Sequence, residues 1–105
     1  MKTNTYDNDS CPVAATLKIV GSKWTMLILR DLCEGTKRFG NLQRSLDGIS
    51  PRTLSLRLKQ LEKNGIVTKH IFPEIPPHVE YTLTPKGKSL KDIVNKMREW
   101  GNSHK

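Results

Sequence analysis

The residues best suited to chemistry lie together in the middle of the chain, just after Ser50-Pro51. They combine cations and hydroxyl groups with one apolar side chain: Arg52, Thr53, Ser55, Leu56 and Lys59. Arginine can donate two hydrogen bonds to a guanine, serine and threonine can bond a base or a phosphate, and leucine can contact a thymine methyl group. A single exposed leucine is also ordinary on protein surfaces, so Leu56 alone does not indicate a function. Together the five residues predict a surface that reads DNA.

The distribution of charge favours the same interpretation. The chain of 105 residues carries 18 Lys and Arg against 10 Asp and Glu, a net charge of +8, and its pI is about 9.8. Residues 1–36 are neutral overall, residues 37–69 carry +6 and residues 70–105 carry +2. A basic surface attracts polyanions, although composition alone fits a solvated face equally well. The secondary structure that carries these charges must therefore decide between the two interpretations.

Proline and glycine divide the first half of the chain into four helices. The first begins at Ser10-Cys11-Pro12, with Ser10 as a candidate cap, and the next two end at Gly35 and Gly48. The fourth has Ser50 as N-cap and ends at Asn64-Gly65. Leucines at positions 54, 58 and 61 form its inward stripe, so the basic side chains and Leu56 project outward.

Two short strands and a last helix follow. Residues 66–72 and 79–83 are β-rich, and the loop between them contains three prolines, so it should project as a stiff wing. Lys69 and His78 are its candidate phosphate contacts. A helix restarts at Thr84-Pro85 and runs nearly to the C-terminus. This order predicts a winged helix-turn-helix, a mainly α fold with a small β-hairpin (α+β class), over residues 11–105, after a flexible tail at residues 1–10.

The last helix also predicts self-association. Its apolar stripe is too long for one small domain to bury, and the first helix offers a second apolar face. We therefore expect a homodimer whose two recognition helices read half-sites about 34–36 Å apart on a pseudo-palindrome.

The two cysteines differ in their expected roles. Cys33 falls at the C-terminal end of the second helix among leucines, which indicates a structural thiol. Cys11 falls at a helix N-terminus, where unpaired N–H groups stabilise a thiolate and make it a candidate sensor of oxidants or electrophiles. From the residues alone, a small residue that merely begins the helix is the favoured explanation of Cys11.

Other function classes find little support in the sequence. His70, His78 and His104 show no metal-ligand spacing with the cysteines, and there is no nucleophile elbow, phosphate loop or paired-carboxylate motif. We therefore expect neither enzymatic activity, cofactor nor metal. No apolar run approaches the roughly 18 residues of a membrane span, and the first ten residues are polar, so we expect a cytoplasmic protein without a membrane partner.

The whole pattern resembles the HxlR-type winged helix regulators, relatives of the MarR group. The resemblance rests on motifs in a fixed order, among them Cys11-Pro12-Val13, Arg38-Phe39, Gly48-Ile49-Ser50, Pro76-Pro77 and Leu83-Thr84. It implies a homodimeric transcription regulator, DNA contact by Arg38, and a sensing role for the cysteine at position 11. It also implies a dimer interface built by the first and last helices, here Val13, Leu17, Leu90, Ile93, Val94, Met97 and Trp100.

Two positions depart from the family pattern. Ser22 stands where glycine is frequent, a harmless change at a turn, and His78 stands where arginine is common. Since a neutral histidine binds phosphate weakly, we expect wing contacts that are weaker and depend on pH.

The expected function is sequence-specific DNA binding in transcriptional regulation, with a small-molecule or oxidant effector as an additional partner. Two alternatives remain at this point: a winged-helix module that binds protein, and a nucleoid protein that binds DNA without sequence preference. The concentration of charge in residues 37–69 argues against the first.

Overall fold

A computed structural model describes residues 11–105, so the predicted tail at residues 1–10 and the proposed cap Ser10 lie outside the described residues. The described chain has six helical segments and three strands. The helices are α1 (Pro12–Val20), α2 (Lys23–Leu32), α3 (Phe39–Ser45), α4 (Pro51–Lys63), α5 (Pro85–Lys88) and α6 (Lys91–His104); the strands are β1 (Lys37–Arg38), β2 (Val67–Phe72) and β3 (His78–Leu83). The predicted winged helix-turn-helix architecture is confirmed.

The ends of α4 follow from its sequence. At its start the Thr53 N–H donates to the Ser50 hydroxyl at 3.0 Å, which satisfies one of the free donors of the first turn. At its end Gly65 has φ +75°, a conformation that only glycine adopts without strain. The N–H of Ile66 then reaches the Leu61 carbonyl at 2.9 Å, closing a Schellman motif. Both ends of the predicted recognition helix are thereby fixed.

The sheet contains a strand that the sequence did not predict. Its order is β1-β3-β2, with both pairs antiparallel. In β1 only Lys37 and Arg38 pair, opposite Tyr81 and Glu80 of β3. So short a strand has no periodicity of its own; it exists because β3 offers an unpaired edge to it. The consequence is that Arg38 lies directly beside the wing.

The predicted long C-terminal helix is wrong as one element, because it is divided at Ser89-Leu90 into α5 and α6. Thr84 caps α5 by accepting from the Gly87 N–H at 3.0 Å, while the Thr84 N–H donates to the Ile66 carbonyl at 2.9 Å. A Cβ atom on Gly87 would lie 2.1 Å from that same carbonyl oxygen. The close approach fixes α5 against the strand and lets α6 leave in a new direction.

A single apolar core lies between α2, α4 and the sheet. Its fully buried members come from all of these elements and from α3: Ile28, Leu29, Leu32, Leu42, Leu46, Leu54, Leu58, Leu61, Ile66 and Val67. Val94 of α6 also belongs to it, and Leu90 packs against it partly buried. Within the described residues, none of the helices has the length and apolar character that a membrane span requires.

Candidate nucleic-acid interface

The outward face of α4 is basic, as predicted. Arg52, Ser55 and Lys59 are exposed, and Leu56 leaves half of its surface in solvent. The leucines that face inward, Leu54 and Leu58, are fully buried. Since burial of those leucines fixes the rotation of the helix, the cationic and hydroxyl side chains are held in solvent where a polyanion can reach them.

Thr53 differs from its neighbours on this face. It is only half-exposed, and its hydroxyl accepts a hydrogen bond from Ser50 at 2.9 Å. The same Ser50 hydroxyl accepts the Thr53 N–H. The threonine is therefore tied into the cap of α4, and its oxygen has less freedom to contact a base than the sequence indicated.

The two wing residues predicted to contact phosphate are placed differently. Lys69 is exposed on β2, with Tyr81 as its partner across the strands. His78 turns inward instead: its side chain is 16% exposed, Nδ1 lies 3.0 Å from Glu74 and Nε2 lies 3.3 Å from Glu80. Both ring nitrogens already face carboxylates of the wing, so the expected direct contact of His78 with phosphate does not fit this arrangement.

Arg38 lies at the base of the wing, and its side chain is exposed to solvent. Its side chain is 58% exposed and its Nε lies 4.0 Å from Oε2 of Glu80. Between Arg38 and the wing is a cleft of about 560 Å³, to which α3 contributes Arg44 and Asn41. Arg44 was missed in the sequence; the signal was its place within the basic segment and its spacing of six residues from Arg38.

The residues predicted for a dimer interface divide into two groups. Five remain in solvent on α1 and α6: Val13, Leu17, Ile93, Met97 and Trp100. Val94 is 5% exposed and lies in the core of its own chain, and Leu90 is half-buried where α6 begins. The interface prediction therefore needs correction for Val94, since spacing alone cannot separate a stripe that faces the core from one beside it; for Leu90 it stays a prediction.

As expected, one cysteine lies at the N-terminal end of a helix and the other at the C-terminal end of the next. Cys11 is the N-cap of α1 with no side-chain capping bond, and its thiol is half-buried and free. Cys33 is the C-cap of α2. Burial raises the pKa of the Cys33 thiol and Glu34 raises it slightly, against Lys91 and Arg98, which lower it. The described residues contain no group of three or more His, Cys, Asp or Glu side chains placed to hold a metal ion.

Comparison with known proteins assigns this architecture to a family. A family model described as HxlR-like helix-turn-helix matches residues 19–105. The uncharacterized HTH-type transcriptional regulator YybR of Bacillus subtilis is 41% identical over 105 residues, covering 99% of this chain and 84% of YybR.

Solved structures agree with this match. A crystal structure of a protein from Porphyromonas gingivalis, described as a transcriptional regulator of the MarR family, is 34% identical with a TM-score of 0.90 over 100% of both chains. The structure of the redox regulator HypR in its oxidized form is 41% identical with a TM-score of 0.86, covering 90% of this chain and 98% of HypR. The chain belongs to the HxlR-like helix-turn-helix family.

Proposed function

We propose that this helix-turn-helix transcriptional regulator binds a pseudo-palindromic DNA operator as a homodimer, with α4 in the major groove and the wing beside it. The observation that carries the proposal is the outward face of α4, where Arg52, Ser55, Leu56 and Lys59 stand in solvent opposite a fully buried leucine stripe. A recognition helix needs this combination, because the buried side fixes its rotation while the exposed side meets base edges.

Two contact classes are expected on the DNA. Arg52 lies in the first turn of α4, where a guanidinium group can bond guanine through two hydrogen bonds. Lys69 on β2 and Arg38 on β1 lie outside that helix, and as flexible cations they suit phosphates, which carry no sequence information. Sequence preference should therefore depend on α4, while overall affinity and its salt dependence should depend on all these cations.

Dimerisation is supported by the apolar side chains that α1 and α6 leave in solvent. Val13 is 67% exposed and Trp100 is 66% exposed, and both are large enough to contribute to an interface. Two chains together carry twice the charge of +8, so the surfaces that meet must be mainly apolar. A two-fold axis would place two α4 helices on half-sites about 34–36 Å apart.

The proposal includes a thiol response through Cys11. This residue begins α1, the helix whose Val13 and Leu17 side chains are offered to a second chain. The similar protein HypR is a redox regulator. Addition of an electrophile to the Cys11 sulfur would change the packing of α1 and thereby the spacing of the recognition helices. Oxidation of Cys11 and a second thiol to a disulfide, with an oxidant such as diamide accepting the two electrons and two protons, would do the same.

The test of DNA binding compares three duplexes at fixed salt. These are the region upstream of the chain's own gene, a scrambled duplex of equal composition, and the footprinted site once it is found. We expect the first and third to bind at least about 10³-fold more tightly than the scrambled duplex. Equal affinity for all three would favour a nucleoid protein, and no binding would favour a protein-interaction module.

The test of the thiol response measures DNA affinity before and after treatment with diamide or a quinone, together with the intact mass. Wild type should lose or gain affinity on modification, and Cys11→Ser should not respond. Cys33→Ser is the matched control and should respond as wild type does. A modified Cys11 with unchanged affinity would contradict this part of the proposal.

A further inference from the structure

The cleft between α3 and the wing has two arginines at its mouth. Arg38 comes from β1 and Arg44 from α3, and the opposite wall is made by Pro77 and His78 of the wing. Arg44 donates to the Asn41 side-chain oxygen, which orients its guanidinium group. Both arginines remain exposed. Two cations on one cleft of about 560 Å³ make a suitable place for an anion.

Next to this cleft, the carboxylate of Glu80 lies close to both His78 and Arg38. Oxygen Oε2 of Glu80 lies 3.3 Å from Nε2 of His78 and 4.0 Å from Nε of Arg38. The other ring nitrogen of His78, Nδ1, lies 3.0 Å from Oε1 of Glu74. A neutral imidazole has only one N–H, so it can donate to only one of the two carboxylates. Both contacts can be N–H donations only in a doubly protonated ring.

We propose that this cleft binds a phosphate of the DNA backbone on Arg38 and Arg44, and that the proton on His78 determines whether Glu80 leaves Arg38 available to that phosphate. The inference rests on the proposed function, because it assumes that the wing meets DNA. It goes further in assigning a phosphate site, a positioning role for Glu80, and a dependence of affinity on pH.

One proton on His78 changes the net charge around the cleft by one unit. With His78 protonated, the lining of the cleft contributes three cations, Arg38, Arg44 and His78. The carboxylates of Glu74 and Glu80, which contact His78 beside the cleft, reduce the sum to +1. Loss of the proton from His78 reduces this net charge to zero. One of the two carboxylates then no longer has an N–H donor on the ring. Glu80 then has Arg38 as its remaining cationic neighbour within 4.0 Å. A phosphate arriving in the cleft meets a weaker field and a competing carboxylate.

Other groups around His78 must be considered for the same effect. The ring stacks on Phe72 of β2 with centroids 4.4 Å apart and an angle of 18°. His70 approaches the edge of the same Phe72 ring, also at 4.4 Å, and is the register partner of Glu80 across the strands. His70 is therefore the residue that could produce a similar pH response, and the experiment must separate the two.

The experiment measures the dissociation constant for a scrambled duplex of about 30 base pairs at low fixed salt, near pH 6 and near pH 8. A phosphate contact is independent of sequence, so an operator is not needed. Histidine changes charge within this interval. Wild type should bind about three- to tenfold more weakly at the higher pH, because the cleft then presents one cation fewer to the phosphate.

Three variants test the assignment. His78→Gln should bind with nearly equal affinity at both pH values, close to that of wild type at high pH. Glu80→Gln should bind tightly at both, because Arg38 has lost its competitor. His104→Gln is the matched control: this histidine also stacks on an aromatic ring, Trp100, at 4.3 Å, yet no carboxylate contact is recorded for it among the described residues. It should keep the wild-type dependence on pH.

The inference is overturned if His78→Gln retains the pH dependence of wild type, or if His70→Gln abolishes it. A thermal melt of each variant confirms that the fold is intact. Ring ¹⁵N shifts of His78, followed against pH without DNA, give a readout independent of DNA binding: Glu80→Gln must change that titration. If wild type binds no duplex at either pH while the ¹⁵N titration responds as expected, the proposed function fails and the carboxylate-histidine geometry stands.

Discussion

Substitution of Gly87 by alanine should destabilise the protein severely, although it adds a single methyl group. The added Cβ would lie 2.1 Å from the carbonyl oxygen of Ile66 and 3.1 Å from Cδ2 of Leu83. The nearest atom belongs to the backbone of the segment that enters β2, so it cannot rotate away. The same carbonyl accepts the Thr84 N–H at 2.9 Å, and that bond must lengthen when α5 is displaced.

The expected cost is about 3 kcal/mol, the sum of overpacking at about 1–3 kcal/mol and a weakened hydrogen bond at about 1 kcal/mol. In a domain of this size that lowers the melting temperature by roughly 12–24 °C. The assay is urea and thermal unfolding followed by circular dichroism. Gly101→Ala is the matched control, because Gly101 lies within α6 with nothing near its Cβ position; it should stabilise the helix by about 0.5–1 kcal/mol.

Equal stability of Gly87→Ala and wild type would refute the close approach of α5 to β2. Loss of stability in both variants would instead indicate that an added methyl group is harmful even where it meets no other atom, and the argument from the Ile66 carbonyl would lose its basis.

Three further results are expected. Arg52→Ala should cost about 1–3 kcal/mol of binding and relax preference at particular bases, whereas Lys69→Ala should weaken all sequences alike and reduce the salt slope by about 1; quantitative footprinting at several salt concentrations distinguishes them. Met97→Asp places a charge on an exposed α6 position, so sedimentation should show monomers with an unchanged melting profile at low protein concentration, and persistence of the dimer would exclude this face. Because burial raises the pKa of Cys33, iodoacetamide near neutral pH should alkylate it more slowly than a cysteine in the unfolded chain, as mass spectrometry of native and urea-treated protein would show; equal rates would mean the thiol is open to solvent.

Sequence and structure agree best where a local residue pattern decides the conformation. Ser50-Pro51 and Asn64-Gly65 predict the two ends of α4, since capping bonds and a positive φ depend on neighbours in the chain. The prolines of residues 73–77 likewise predict a loop between two strands. These features need no knowledge of distant residues.

The features that the sequence missed all depend on distant contacts. Strand β1 exists only through pairing with β3, and the break before α6 follows from the approach of Gly87 to Ile66. The orientation of His78 depends on Glu80 and on the stacked Phe72 ring, which reach it through the register of the sheet. The place of His78 in the wing therefore predicted a phosphate contact. In the structure both ring nitrogens of His78 face the carboxylates of Glu74 and Glu80.

The burial of Val94 in the core, where an interface residue was expected, affects how a signal at the proposed dimer interface would reach DNA. Val94 lies in the core, and α6 packs on α2, which in turn packs on α4. Ile93, Met97 and Trp100 recur at i, i+4 and i+7, so they form one stripe beside that anchored face. Because α6 packs on the core on one side, rotation of the two chains of the proposed dimer about the exposed stripe would carry α4 as a rigid body. A thiol event at α1 would then act on the separation of the two α4 helices, leaving the base-reading face of each unchanged. Affinity for a duplex with altered half-site spacing is accordingly the quantity in which such an event should appear.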